Sequence, residues 1–274
     1  MTDIFRAVVL GIVQGLSEFL PISSSGHLIV TRALFHWSFT DNLTFDVALH
    51  VGTTIAVLVY FWREWLMMAR ALLRWVSGDR EPRVTEPYDV HILGLIVLGS
   101  IPVGILGLLF EKKFEDWIRD PVVVGAMLFA FAFVLLTADR LDRATKSLSD
   151  ATWRDALFIG CAQAMALVPG VSRSGATISA GLFRNFKRQD AARYSFLLST
   201  PAIGGAAVLK FSEAARNGTL TDNLDQMVVG AAAAAIVGFI SIAFLMRLVQ
   251  TRSFMPFVIY RLLAGAFFVI YFTV

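Results

Sequence analysis

Long apolar runs alternate with short polar stretches along most of the chain. Apolar segments are predicted near residues 4–20, 26–38, 45–62, 90–110, 121–138, 154–168, 175–186, 194–211, 226–248 and 255–273. Six of them are long enough for a hydrocarbon core of about 30 Å, which needs roughly 20 helical residues. The segments near 4–20, 26–38, 154–168 and 175–186 are shorter. The pattern therefore predicts an all-α polytopic membrane protein with six transmembrane helices.

The four short segments form two pairs, and each pair flanks a polar loop rich in serine, glycine and proline. Irregular backbone at membrane depth is tolerated only where protein or a water-filled cavity surrounds it. Each pair is therefore predicted to form a re-entrant helix-loop-helix hairpin. The second helix of each hairpin is expected to begin near His27 and near Thr177.

The two loops resemble each other at a constant offset of 149 residues. They differ where chemistry is expected, because one loop carries Glu18 and His27 and the other carries Arg173 and Thr177. A duplicated scaffold with unlike polar side chains suggests one composite site built from both copies. The offset pairs Gly11 with Gly160, Gln14 with Gln163, Ser23 with Ser172, Ser25 with Ser174 and Gly26 with Gly175.

The basic residues indicate an orientation. Fifteen lysines and arginines fall at 63–89, 139–154, 184–193 and 247–252, and seven fall on the opposite side. The positive-inside rule puts the richer side in the cytoplasm and both termini outside. Three spans, an odd number, separate the two hairpins. The halves, at 1–138 and 154–274 of a single membrane domain, are therefore expected to be inverted, so that the loop tips can meet near the midplane.

Composition supports the membrane prediction and narrows the function. The 274 residues are 57% hydrophobic and 16% charged, with a mean hydropathy of +0.67, against roughly 25% charged residues in soluble domains. The basic residues are dispersed among short loops, so no nucleic-acid partner is predicted. Cys161 is the single cysteine, which excludes an intrachain disulfide. No signal peptide is predicted, because the first apolar run carries Gln14 and Glu18.

The polar residues of the loops suit a phosphate-rich ligand. Helix N-termini attract anions through free N–H groups and the helix dipole, and the planar fork of Arg173 can bind phosphate oxygens bidentately. Gln14 and Glu18 are four residues apart and share a helix face. The candidate substrate-binding residues are Gln14, Ser23, Ser25, Gly26, Ser172, Ser174, Gly175, Thr177 and Arg261.

Each candidate has a structural alternative. Glu18 could only neutralise Arg173, although charges within the membrane usually serve a function. His27 could cap a helix, and Ser23 and Ser25 could be caps or turn formers. Arg261, inside the last span, is as well explained by a structural role as by a phosphate contact. The i,i+4 pair of Asp46 and His50 is interpreted as a feature of the cavity mouth or an ion pair, and Gln14 and Gln163 could be interhelical hydrogen-bonding residues.

Two stretches resemble the signatures of a known family. They are Gln14-x-x-x-Glu18 with Pro21-Ile22-Ser23-Ser24-Ser25-Gly26-His27, and Pro169-Gly170-Val171-Ser172-Arg173-Ser174-Gly175-Ala176-Thr177. Both closely resemble undecaprenyl-diphosphate phosphatases, the bacitracin-resistance proteins of bacterial inner membranes, and the resemblance covers essentially the whole chain.

The resemblance implies dephosphorylation of undecaprenyl diphosphate to the monophosphate carrier lipid of cell-wall synthesis, at a site open to the outer face. It also implies a divalent cation, Mg²⁺ or Ca²⁺. Gln14 stands where the family often has glutamate, which removes a second carboxylate from the expected metal site. The expected partners are a polyprenyl diphosphate lipid and the bilayer, with a homodimer left open.

Glu18, His27, Arg173 and Ser24 are the predicted catalytic residues. Arg173, the helix N-termini and the cation would neutralise the diphosphate, while Glu18 would hold the metal or orient His27. His27 with Ser24 would supply the nucleophile or the general base, and an activated water is the alternative. Two rival functions stay open at this point. Inverted repeats with broken helices are typical of secondary transporters, so the chain could flip the lipid phosphate, or it could bind the lipid without catalysis.

Overall fold

The computed structural model describes residues 3–37, 42–79, 88–117, 120–141, 143–218 and 224–274, with the backbone alone at 42 and 110–117. These residues contain eleven α-helices, one 3-10 helix at Leu148–Asp150 and no β-strand. The α-helices are α1 (Asp3–Phe19), α2 (Ser24–Phe35), α3 (Asn42–Tyr60), α4 (Trp62–Val76), α5 (Val90–Trp117), α6 (Pro121–Arg140), α7 (Trp153–Met165), α8 (Arg173–Phe183), α9 (Arg188–Asn217), α10 (Leu224–Leu248) and α11 (Met255–Thr273).

Within the described ranges, six helices are long and apolar enough to cross a membrane: α3, α5, α6, α9, α10 and α11. The prediction of an all-α polytopic membrane protein with six spans is thus confirmed. Three of these helices lie between the α1–α2 pair and the α7–α8 pair, as expected. Arg80, Arg83 and Arg119, which belong to the basic residues used for orientation, lie outside the described residues.

One predicted helix start was wrong, and one helix was not predicted. Helix α9 begins at Arg188 rather than near 194, because its first turn is polar and gives no hydropathy signal. Helix α4 was predicted as part of a loop. Its apolar face buries Met68 and Ala71, three residues apart as a helix requires, while several charged residues lower its mean hydropathy.

The turns that join α1 to α2 and α7 to α8 have the same backbone. Ser23 and Ser172 are the N-cap residues, with φ of 75° and 74°. Positive φ is rare outside glycine, so its recurrence at the offset of 149 indicates a duplicated turn. Helix α2 therefore begins at Ser24 and α8 at Arg173, earlier than expected, so that Ser24 and Arg173 are the first residues of their helices.

The first helix of each pair packs against the other half of the chain through glycine. A Cβ atom at Gly11 would lie 2.3 Å from the carbonyl oxygen of Gly230 in α10, and one at Gly160 would lie 2.3 Å from the carbonyl oxygen of Gly99 in α5. No side chain fits at such distances. The pairing of Gly11 with Gly160 by the offset therefore corresponds to two equivalent helix crossings.

An ion-pair cluster anchors the start of α7. Asp155 accepts hydrogen bonds from Lys146 Nζ at 2.9 Å and Arg184 Nε at 2.6 Å, and from the Thr152 hydroxyl at 2.7 Å. Burial opposes ionisation of the carboxyl group, but these donors outweigh it and lower the pKa of Asp155 to about 2. The cluster joins α7 to the end of α8.

Candidate active site

A cavity of about 250 Å³ lies where the two turns meet, bounded by α3, α5 and α9. Its polar lining comes from both turns and from neighbouring helices, and its apolar lining comes mostly from α9 and from the turn after α7. The lining residues are Glu18, Ser23, Ser24, Ser25, Val47, His50, Val103, Gln163, Ala166, Leu167, Arg173, Ser199, Ala202, Ile203 and Ala206.

Glu18 is the centre of the polar network. One carboxylate oxygen, Oε2, accepts hydrogen bonds from Ser24 Oγ at 2.5 Å and from Gln14 Nε2 at 2.9 Å. The other, Oε1, accepts from Arg173 Nη2 at 2.5 Å. The composite site expected from the two hairpins is therefore assembled, and the carboxylate lies directly against a hydroxyl group and a guanidinium group.

Arg173 is held at both ends of its guanidinium group. Nη1 donates to the backbone carbonyl of Ser195 in α9 at 3.1 Å, while Nη2 pairs with Glu18. Thr177 lies behind it, donating to the Arg173 carbonyl at 2.8 Å and contacting Ser195 Oγ at 2.6 Å. Thr177 is buried and does not line the cavity, so its contacts support the position of Arg173 and do not reach a ligand.

Direct hydrogen bonds join the two turns. The Gly170 N–H donates to Ser23 Oγ at 3.1 Å, and Ser174 Oγ donates to the Leu20 carbonyl at 3.0 Å. Gly170 has φ of 94°, and a Cβ atom there would lie 2.5 Å from the Val124 carbonyl oxygen. Only glycine meets both conditions, which explains the Pro-Gly sequence at this turn.

Arg261 does not contact the cavity, contrary to its predicted role in substrate binding. Its side chain is 0% exposed. Nε donates to Leu128, Nη1 to Pro21, and Nη2 to both Gly170 and Val171, in every case to a backbone carbonyl at 2.9–3.2 Å. The guanidinium group is therefore a structural clamp on both turns.

His27 also lies away from the cavity, so its expected pairing with Ser24 is not observed. Nδ1 donates to the Ser23 carbonyl at 2.7 Å, and Nε2 contacts the Tyr260 hydroxyl at 2.6 Å. The ring stacks on Tyr260 with centroids 5.6 Å apart. Both ring nitrogens are engaged, and the ring holds the first turn against α11.

Most of the other predicted substrate-binding residues are part of the scaffold. Ser172 caps α8 by accepting from the Gly175 N–H at 3.1 Å. A Cβ atom at Gly175 would lie 2.7 Å from Arg261 Nη1, and one at Gly26 would lie 2.9 Å from Val124. Of the residues predicted to bind substrate, only Ser23 and Ser25 line the cavity.

Three polar residues of the cavity lining were not among the predicted site residues. His50 was interpreted as a mouth feature, yet its Nε2 lies 3.5 Å from Glu18 Oε2, while Nδ1 donates to the Asp46 carbonyl at 2.7 Å. Asp46 is fixed by a bidentate pair with Arg32. The i,i+4 spacing of Asp46 and His50 was visible in the sequence, whereas the approach of α3 to Glu18 was not. Gln163 and Ser199 are the other two.

The donor set is too small for a metal held by protein alone. Within the described part of the chain, no group of three or more His, Cys, Asp and Glu side chains is placed to hold a metal ion. Among the described residues that line the cavity, Glu18 is the one carboxylate, and the amide of Gln14 does not replace the second. Mg²⁺ is often held by one or two carboxylates together with substrate phosphates, so Glu18 fits a cation shared with a diphosphate.

Fold and site together define a multi-pass membrane protein with a small polar cavity between two related turns, rich in groups that bind anions. The chain belongs to the family described as "Bacitracin resistance protein BacA", which matches residues 7–267. The resemblance expected from the sequence is thus confirmed.

Several relatives are similar over nearly their full length, and each is named "Undecaprenyl-diphosphatase". The protein of Pelotomaculum thermopropionicum is 44% identical over 262 residues, covering 96% of this chain and 94% of the relative. That of Geobacter sulfurreducens is 45% identical over 264 residues, 96% of each chain. That of Thermodesulfovibrio yellowstonii is 41% identical over 274 residues, 99% of each chain.

Proposed function

We propose that this chain is an integral membrane phosphatase that hydrolyses undecaprenyl diphosphate to undecaprenyl phosphate and inorganic phosphate. The observation that carries the proposal is the direct contact of Ser24, Glu18 and Arg173 in one cavity. A hydroxyl group, a carboxylate and a guanidinium group are the parts that nucleophilic phosphoryl transfer needs. The names of the relatives support the same reaction and count against lipid transport as the main activity.

Ser24 is the proposed nucleophile, and Glu18 is the proposed general base. The hydroxyl group already donates to the carboxylate at 2.5 Å, within the range for proton transfer. Ser24 Oγ attacks the terminal phosphorus, its proton passes to Glu18, and the bond from phosphorus to the bridging oxygen breaks. The lipid monophosphate leaves with the bonding electrons. Water then hydrolyses the phosphoserine, which restores Ser24 and releases phosphate.

Arg173 and the two helix N-termini supply the positive potential. Helices α2 and α8 begin at Ser24 and Arg173, so their free N–H groups lie beside the reacting group. In the free protein Glu18 balances the charge of Arg173. When the diphosphate enters, the guanidinium group can turn a nitrogen to a phosphate oxygen and stabilise the charge that develops in the transition state.

A divalent cation, Mg²⁺ or Ca²⁺, is part of the proposal. Glu18 and phosphate oxygens of the substrate would hold it, and the cation would supply charge neutralisation when bound. One carboxylate, that of Glu18, is enough for this role, because Mg²⁺ is often held by one or two carboxylates together with substrate phosphates.

The prenyl tail is proposed to lie along the apolar side of the cavity, lined by Val47, Val103, Ala202, Ile203 and Ala206. We further propose that halves 1–138 and 154–274 form an inverted repeat in the bacterial inner membrane, with both hairpins re-entrant and the site open to the outer face. Helices α2, α7 and α8 have 12, 13 and 11 residues, too short to span, and α1 with 17 residues is at the lower limit of spanning length. A homodimer stays a prediction, to be tested by the mass of the detergent-solubilised protein.

Phosphate release by purified protein in detergent tests the activity. We expect stoichiometric phosphate and undecaprenyl phosphate from undecaprenyl diphosphate, with loss of turnover in Ser24→Ala. A protein that binds the lipid diphosphate without releasing phosphate would support the binding alternative. Transfer of the lipid phosphate between leaflets of proteoliposomes, without hydrolysis, would support the transport alternative.

Cysteine labelling tests the orientation. His36 at the end of α2 and Lys187 before α9 are both exposed. Thr40, which the predicted topology also assigns to the outer face, is not among the described residues. In a Cys161→Ala background, a membrane-impermeant thiol reagent should label His36→Cys in intact cells, and Lys187→Cys only after permeabilisation. Equal external labelling of both variants would exclude the inverted arrangement.

A further inference from the structure

Gln163 is a buried amide without hydrogen bonds at the wall of the cavity. It lies in the last turn of α7 and lines the same space as Glu18, Ser24 and Arg173. It is 1% exposed. Among the residues that the structure describes, none reaches its Nε2 or Oε1 with a hydrogen bond. Buried polar groups are almost always paired, so a doubly unpaired amide at this position requires an explanation.

Comparison of the two hairpins explains why the Gln163 amide has no hydrogen-bond partner. Gln14, its equivalent at the offset of 149, donates to Glu18 at 2.9 Å. Glu18 corresponds to Leu167 in the second copy, so Gln163 has no carboxylate one turn further along its chain. The same type of side chain therefore orients the general base in one hairpin and is left without a partner at the cavity wall in the other.

We propose that Gln163 is a substrate-binding residue whose Nε2–H donates to a phosphate oxygen of the lipid diphosphate. This inference rests on the proposed function, because it concerns the ligand of the same cavity. Arg173 lines the same cavity as Gln163, and its positive charge attracts the anion. Binding would give the Nε2–H group of Gln163 an acceptor, so part of the free energy lost by burying the amide is recovered only in the complex.

The proposal predicts opposite effects on stability and on binding. Removing an amide that has no partner breaks no hydrogen bond of the free protein, so stability should be unchanged or higher. Removing a donor to a charged phosphate should weaken binding. A purely structural role for Gln163 predicts loss of stability with binding unaffected.

The test compares Gln163→Met with Gln14→Met in detergent. Both changes keep side-chain length and remove the amide, but only Gln14 has a hydrogen bond to lose. For Gln163→Met we expect an unfolding midpoint at or above that of the wild type, and a KM for undecaprenyl diphosphate raised roughly tenfold, as for one hydrogen bond to a charged group. For Gln14→Met we expect a lower midpoint. A Gln163→Met variant with a lower midpoint and unchanged KM would overturn the inference.

A second readout separates this inference from the proposed activity. Inorganic pyrophosphate should raise the unfolding midpoint of the wild type, and Gln163→Met should lose most of that shift. If the wild type releases no phosphate, the proposed hydrolysis fails, yet a pyrophosphate shift that depends on Gln163 still supports the binding role. A shift of equal size in both proteins would refute that role whether or not the wild type is active.

Discussion

Replacing Arg173 with lysine tests the electrostatic core of the site while keeping its charge. The guanidinium group donates through two nitrogens to two different acceptors, the Glu18 carboxylate at 2.5 Å and the Ser195 carbonyl at 3.1 Å. A lysine ammonium is one compact centre on a flexible stem and cannot reach both in that geometry. The variant therefore loses either its anchor on α9 or its contact with the carboxylate, and it cannot grip a phosphate bidentately.

The size of the loss follows from the number of contacts removed. One charge-assisted hydrogen bond contributes roughly 1.5–3 kcal/mol, which is about 10- to 150-fold in kcat/KM. Because Arg173→Lys keeps a positive charge near Glu18, it should lose less stability than Arg173→Ala. Arg173→Ala leaves the carboxylate buried without a cation and should also destabilise the protein by about 3–5 kcal/mol.

Phosphate release and unfolding midpoints of purified variants give both numbers. Arg184→Lys is the matched control, since Arg184 follows the same helix and pairs with Asp155 outside the cavity. It should retain kcat/KM close to the wild type. An Arg173→Lys variant within threefold of wild-type kcat/KM, or an Arg184→Lys variant equally impaired, would refute the assignment of Arg173 as the phosphate clamp.

Three further outcomes are expected. Ser24→Ala should lower kcat by roughly 10³-fold or more while leaving substrate binding intact. Incubation with labelled lipid diphosphate should trap phosphoserine in the wild type but not in the variant. An active Ser24→Ala protein would indicate direct attack by water. Gly170→Ala should reduce the free energy of unfolding by at least roughly 1–3 kcal/mol, measured in detergent by denaturant, because φ is 94° and the new methyl group would meet the Val124 carbonyl. The pKa of Asp155 in the folded protein, about 2, is below its ordinary value. The ionised carboxylate therefore stabilises the fold above about pH 4, and this contribution is lost as the pH falls toward 2. In measurements of the unfolding midpoint, Asp155→Asn should be less stable than the wild type at neutral pH but should lose less stability over that acid range.

The six spans were predictable because burial in lipid requires a continuous apolar length, which hydropathy measures directly. Helix α4 was not, because its charged residues interrupt the apolar run on which that measure depends. Its signal was the spacing of Met68 and Ala71 on one face. The duplicated turns were also visible in the sequence, although the exact starts of α2 and α8 depended on Ser23 and Ser172 adopting positive φ.

The site was predictable only as far as local spacing determines it. Gln14 and Glu18 share a helix face at any packing angle, so their contact followed from the sequence. The approach of His50 to Glu18 depends on how α3 crosses α1, which no spacing along the chain specifies. Arg261 shows the opposite error. An arginine within a span suggests function. Its N–H groups instead donate to backbone carbonyls, three in the two turns and one in α6, and sequence patterns do not reveal those acceptors.

The position of Arg261 also explains how a symmetric scaffold can carry asymmetric chemistry. Pro21 and Gly170 are equivalent at the offset of 149, and Arg261 donates to the carbonyl oxygens of both. One side chain from α11 therefore fixes the two copies of the turn against each other through their backbones. Because backbone contacts hold the two turns in place, the side chains at equivalent positions of the two hairpins are free to differ. Ser24 and Glu18 on one turn, and Arg173 on the other, can then meet as nucleophile, base and phosphate clamp in the cavity between them.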